Sequence, residues 1–100
     1  LTGYVAGVSR QVAPHGVIIN NLLPGLHGTD RMVQLDKAAS EASGKSVSEV
    51  QADRLATIPT GSYGDAGDFG ATCAFMCSQF ARFMVGQNVL LDGGAVNTTF

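Results

Sequence analysis

Apolar positions along the chain alternate between helical spacing and short β-branched runs. Over Thr2–Ala13, Tyr4, Val5, Val8 and Val12 recur at helical spacing while Ser9, Arg10 and Gln11 are polar, which predicts a helix. Gly3 and Gly7 sit inside it and each costs ~1 kcal/mol relative to Ala. Close approach by another element, from a second subunit or from ordinary packing within the chain, is expected to offset that cost. Pro14 cannot continue the helix and disfavours helical backbone at Ala13, and His15-Gly16 turns the chain. Val17-Ile18-Ile19 then runs through Asn20-Asn21-Leu22-Leu23 and stops at Pro24-Gly25. A β-branched run bounded by Gly and Pro predicts a buried strand. In an open α/β sheet, ligands bind at the carboxyl ends of strands. Pro24-Gly25 and the polar, flexible residues up to Asp30 are therefore the first candidate site.

Arg31–Ala42 predicts a polar helix with Met32, Leu35 and Ala39 on one face, broken at Ser43-Gly44-Lys45. Ser46-Val47-Ser48-Glu49 has the form of a capping box, which satisfies the first helical N–H groups. A second helix to about Thr57 follows, with Val50, Leu55 and Ala56 partly buried. The pair, spanning 30–57, reads as a substrate-binding insert or as a plain helical excursion. Ile58–Gly64 is loop. Asp65 is a good N-cap, and Asp68 falls in the first turn, where the helix dipole favours an anion. The helix behind it, to about Ser78, has Phe69, Cys73 and Met76 on one stripe and Ala71, Ala74, Phe75 and Cys77 on the others. Apolar residues all round predict burial on more than one face. Phe83–Gln87 turns the chain into a second apolar strand, Asn88–Leu91, ended by Asp92-Gly93-Gly94. The order helix, strand, helical insert, helix, strand predicts an α/β fold with two neighbouring parallel strands and a right-handed crossover. Two strands alone make a poor core, so a larger sheet is expected.

Composition narrows the function. Apolar residues make up 45% and charged residues 14%, so the chain is core-forming. The net charge is −2 with no basic cluster, which argues against nucleic acid as a partner. No apolar run reaches the ~20 residues of a membrane helix. Leu1 opens into what reads as the middle of a helix, so a C-terminal piece of a longer domain is expected. Cys73 and Cys77 lie on a helix with no further ligands nearby. They predict core packing rather than a metal site, and reduced thiols fit a cytoplasmic protein.

Several stretches, in order, carry a resemblance: Arg10-Gln11-Val12-Ala13-Pro14; Val17–Asn21 with Pro24-Gly25 and Thr29-Asp30; Ile58-Pro59 with Gly61 and Gly64; and Gly86-Gln87 with Leu91-Asp92-Gly93-Gly94. Together they resemble the C-terminal portion of the classical short-chain dehydrogenase/reductase family, most of all bacterial 3-oxoacyl carrier-protein reductase-like enzymes. The resemblance implies a doubly wound Rossmann-type parallel sheet and NAD or NADP as cofactor. It implies hydride transfer to or from a small-molecule carbonyl or alcohol. It implies a homodimer or homotetramer built through the first helix and through the last helix and strand.

The resemblance also assigns cofactor-binding roles to Pro24, Gly25, His27 (through its backbone) and Thr29, beside the nicotinamide. The segment 30–57 takes the place of the substrate loop. The family's glycine-rich loop, its catalytic Ser and its Tyr-x-x-x-Lys pair have no counterpart here: Val8 follows Tyr4, and Gly67 follows Tyr63, where a Lys would stand. No catalytic residue and no metal ligand is assigned, and the isolated chain is expected to be inactive. Ser62 stands where an Arg is frequent, and Val85 where a Thr is frequent. The His27 ring is expected to face solvent or to touch substrate. A non-catalytic relative, serving binding or oligomerisation, is the alternative reading.

Overall fold

The computed structural model describes residues 1–97. Its elements are α1 (Thr2–Val12), a 3-10 turn (Ala13–His15), β1 (Asn21–Pro24), α2 (Asp30–Ser43), α3 (Val47–Ala56), α4 (Ala66–Met76), a second 3-10 turn (Gln79–Ala81) and β2 (Asn88–Leu91). The two strands pair in parallel, Asn21 opposite Asn88 and Pro24 opposite Leu91. The element order matches the one read from the sequence.

Helix α1 departs from expectation in three places. Ala13 keeps helical backbone, φ −56° and ψ −40°, despite the proline after it. The clash with Pro14 disfavours that conformation without forbidding it. The chain tightens into a 3-10 turn that needs no N–H from Pro14, and Gly16, at φ +80°, ends it in the left-handed region open to glycine. Ser9, one of the polar positions opposed to the apolar stripe, is fully buried and donates from its hydroxyl to the Ala6 carbonyl at 3.0 Å. Tyr4, read as part of the apolar stripe, is 71% exposed. Beyond the chain neighbours and the helix's own backbone, no described atom lies within 4 Å of a Cβ placed on Gly3 or Gly7, so packing by another described element does not offset those glycines.

The first strand begins later than its apolar run. Pairing starts at Asn21 because β2 opposite it starts only at Asn88. Val17 and Ile18, which have no strand beside them among the described residues, are exposed. Asn20 makes the transition with its side chain. Its Nδ2 donates to the Met84 carbonyl at 2.9 Å, and its Oδ1 accepts from the Gln87 N–H at 2.9 Å. Asn21 Nδ2 then donates to Asn88 Oδ1 at 2.8 Å. Two side-chain amides thus set the register before the backbone ladder takes over.

The helical insert is capped as its sequence requires. Thr29 accepts from the Met32 N–H, Gly44 ends α2 at φ +75°, and Ser46 accepts from the Glu49 N–H. Its buried face differs from the expected one. Met32 is buried, but Leu35 and Ala56 are exposed, and Asp36 is buried in their stead. Asp65 caps α4 by accepting from the Asp68 N–H. That helix ends at Met76 rather than Ser78, since the Ser78 side chain caps the following 3-10 turn. No residue of α4 is buried, and both cysteines are exposed. An all-round apolar helix requires cover on several faces, and the described residues supply too little. The apolar core comprises Met32, Val50, Ile58 and Ala81. The radius of gyration is 17.1 Å, against ~13 Å for a compact domain of this length. No helix among the described residues is long and apolar enough to cross a membrane.

Replacing Asn20 by Ala removes both of its contacts to the turn before β2. The expected cost is about 1 kcal/mol, read as a lower midpoint in urea denaturation. Asn20→Asp keeps the acceptor for Gln87 and is expected to recover part of the loss.

Candidate functional site

The parallel register sets the carboxyl ends of β1 and β2 side by side. Gly25 extends the ladder one residue, its N–H donating to the Leu91 carbonyl at 2.8 Å. A Cβ on Gly25 would lie 2.6 Å from Asp92 Cα, so only glycine permits this approach. The Asp92 carboxylate accepts from the N–H groups of Gly94 and Val96 at 3.0 and 2.7 Å, which fixes the turn after β2.

Beyond Gly25 the chain is held from one side by Gly64. The Gly64 N–H donates to the Leu26 carbonyl at 2.9 Å, and the Gly28 N–H donates to the Gly64 carbonyl at 2.8 Å. This is one rung of a parallel ladder, centred on His27. In such a rung the flanking residues use their polar groups on the partner. The N–H and C=O of His27 itself therefore point the other way, away from Gly64.

The His27 ring neither faces solvent freely nor stands apart from the fold. Its edge meets Phe69, with centroids 5.1 Å apart and planes at 78°. Its Nδ1 lies 3.2 Å from the Gly25 carbonyl. A carbonyl only accepts, so that nitrogen carries the proton in this bond. The ring also covers Gly64, where a Cβ would come within 2.6 Å of it. Thr29 Oγ1 accepts from the Met32 N–H at 3.3 Å, which leaves the hydroxyl proton free to be donated elsewhere.

Pro24, Gly25, His27 and Thr29 all border one open cleft of about 440 Å³, lined also by Met32 and Leu35 of α2 and Phe69 of α4. The four residues named from the sequence are thus brought together. A second cleft, of about 530 Å³, lies across His27 and Phe69 and is lined by Tyr63, Asp65, Asp68 and the turn after β2.

Sequence reasoning missed the charged cluster behind this site. Asp36 is 1% exposed. Its Oδ1 lies 2.7 Å from Arg54 Nε, and the Tyr63 hydroxyl donates to Oδ2 at 3.2 Å. The Arg54 N–H is not aligned for a hydrogen bond, so charge alone holds that contact. Burial pushes the Tyr63 phenol above its ordinary value of 10.0, and the nearby Asp36 carboxylate pushes it further. One signal was present: Asp36 stands four residues after Met32, on the face that Met32 assigns to the interior.

A parallel β–α–β arrangement with a cleft at its strand ends defines an α/β protein of Rossmann type. The chain belongs to the short-chain dehydrogenase/reductase family, the matching family model being described as enoyl-(acyl carrier protein) reductase and covering residues 1–96. The NADPH-dependent reductase BacG of Bacillus subtilis (strain 168) is 31% identical over 91 residues, which are 91% of this chain and 35% of that protein. The 3-oxoacyl-[acyl-carrier-protein] reductase FabG of Vibrio cholerae is 29% identical over 92 residues, 92% of this chain and 33% of that protein. The crystal structure of YwfH, an NADPH dependent reductase involved in bacilysin biosynthesis, superposes with a TM-score of 0.87 at 28% identity, covering 99% of this chain and 37% of the other. L-sorbose reductase from Gluconobacter frateurii, complexed with NADPH and L-sorbose, gives a TM-score of 0.88 over 99% of this chain and 38% of the other, at 20% identity, and shows the fold alone. The chain spans about a third of the length of the curated relatives it matches. The family resemblance drawn from the motifs is borne out.

Gly25→Ala is expected to cost about 1–3 kcal/mol through overpacking. Gly28→Ala, whose Cβ would meet nothing nearer than 3.8 Å, serves as the control and should melt close to the unaltered protein. Thermal denaturation of both variants checks the contrast.

The raised phenol predicts a late tyrosinate transition, above pH 10.0, that Tyr63→Phe removes and Asp36→Asn moves to lower pH. The folded state holds this proton more tightly than the unfolded state. The associated stability is therefore present below pH 10.0 and lost as pH rises through the folded value. Ultraviolet titration of tyrosinate, with and without denaturant, measures both.

Proposed function

We propose that this chain is the C-terminal third of an NAD(P)(H)-dependent oxidoreductase and that its strand end forms the shelf under the nicotinamide. The observation that carries the reading is the outward N–H and C=O of His27, set by the Gly64 rung. A carboxamide presents one acceptor oxygen and one donor NH₂ in a plane, and a free backbone N–H and C=O on one residue complement both. Pro24 and Gly25 supply the floor, and the Thr29 hydroxyl offers a further donor. These residues fit the nicotinamide end of a dinucleotide. The bound dinucleotide would supply the hydride.

In this reading the chain orients the ring and excludes water, and the insert 30–57 covers a small carbonyl or alcohol substrate. In the family, proton transfer to the substrate is the work of a catalytic Ser and a Tyr-x-x-x-Lys pair that have no counterpart in this sequence, so residues 1–100 alone are expected to be inactive. The NADPH-dependent relatives make NADPH the first cofactor to try, with NADH the second. Uncovered apolar surface on α1 and α4, including Tyr4 and Phe75, supports assembly into a homodimer or homotetramer. The free thiols Cys73 and Cys77 agree with a reducing, cytoplasmic setting.

The test is turnover by the complete protein with NADPH or NADH and a panel of carbonyl substrates. Cofactor oxidation is expected there and none with residues 1–100 alone. Thr29→Val should weaken dinucleotide binding about tenfold, while Thr29→Ser keeps both cap and donor and binds normally. Turnover by residues 1–100 alone, or a complete protein that binds neither dinucleotide, would overturn the reading.

A further inference from the structure

The nicotinamide shelf is made of backbone, so something else must hold that backbone still. Its outward face is set by the rung between His27 and Gly64. Gly64 belongs to a loop, and the residue before it is Tyr63, whose hydroxyl donates to the buried carboxylate of Asp36. Asp36 sits in α2, and α2 begins at its cap, Thr29, at the far end of the same shelf. A closed circuit results. It runs from Gly28 along the chain through Thr29 to Asp36, across to Tyr63, on to Gly64, and back by hydrogen bond to Gly28. Arg54, from α3, sets its Nε 2.7 Å from Oδ1 of the same carboxylate.

We infer that Asp36 and Tyr63 are positioning residues for the cofactor: their hydrogen bond ties the helical insert to Gly64 and so fixes the His27 N–H and C=O at the angle a carboxamide needs. The inference rests on the shelf reading above and deepens it. Neither side chain is among the groups assigned to touch the nicotinamide. The Tyr63–Asp36 bond is the only side-chain bond in the circuit besides the Thr29 cap, and every other link is backbone.

The experiment uses the complete protein and two probes. One is NADPH. The other is ADP-ribose 2′-phosphate, the same molecule without nicotinamide, with NADH and ADP-ribose as the matched pair should the protein prefer them. In the unaltered protein the dinucleotide should bind more tightly, by the contribution of the shelf. In Tyr63→Phe, which removes the donor, and in Asp36→Ala, which removes the acceptor, that advantage should shrink by about five- to tenfold, with affinity for the nicotinamide-free probe unchanged. Unchanged binding of the latter also shows that the variants are folded. A loss shared equally by both probes would overturn the inference, because it would mark a general structural role. Unchanged binding of both would overturn it equally. Equal affinity of the unaltered protein for the two probes would instead remove the shelf itself, and the inference with it.

Discussion

The carboxyl end of the sheet depends on one glycine having no side chain. Gly25 bonds to the Leu91 carbonyl at 2.8 Å while Asp92 Cα occupies the space a Cβ would need. The ladder can therefore continue past Pro24, which has no N–H of its own. Both strands then end at one level, and a single loop can reach both ends. Thr60 donates to the Gly93 carbonyl at the end of β2, and Gly64 donates to the Leu26 carbonyl at the end of β1. The loop 58–64 is thus strapped at two points across the sheet. Its burial of Ile58 gives those straps an apolar anchor.

The features so placed are mostly backbone groups, and that has a chemical consequence. A backbone donor and acceptor pair tolerates many side chains, provided glycine occupies the positions where a Cβ would collide. Gly25, Gly64 and Gly93 are such positions here, each with a neighbour 2.6 Å from the Cβ that is missing. This is a physical reason why a superposition with a TM-score of 0.88 can accompany only 20% identity. The geometry is bought with a few glycines and turns, and the remaining side chains are released to vary. The His27 ring illustrates the point: its packing on Phe69 is particular to this chain's side chains, whereas its N–H and C=O follow from the rung.

Legibility from sequence divides along the same line. Helix caps at Ser46 and Asp65 and the break at Gly44 were readable, because each is decided within a few residues. The parallel pairing followed from the order of elements. The start of β1 was not readable, since a strand is only as long as its partner permits and β2 is short. The burial of α4 was misjudged for a related reason. Periodicity states which face of a helix is apolar, but the described neighbours decide what is covered. Ala13 shows a third limit, where the local rule about residues before proline lost to the closing turn. The Asp36–Tyr63–Arg54 cluster was the least legible, joining residues far apart in sequence through one carboxylate that a polar helix would ordinarily turn to solvent.

That carboxylate also explains how an insert with so little apolar content keeps one orientation. Met32 and Val50 are its only apolar side chains below a tenth exposed. Apolar contact is non-directional, and two such residues would allow α2 and α3 to rotate with little change in buried area. A buried ion pair is weak evidence of stability, because desolvation offsets its Coulombic gain. It is strongly directional all the same. Rotating α2 away from Tyr63 and Arg54 would leave the Asp36 charge buried and unmatched, a penalty of several kcal/mol in the general case. The cluster thus contributes selectivity among orientations rather than net stability.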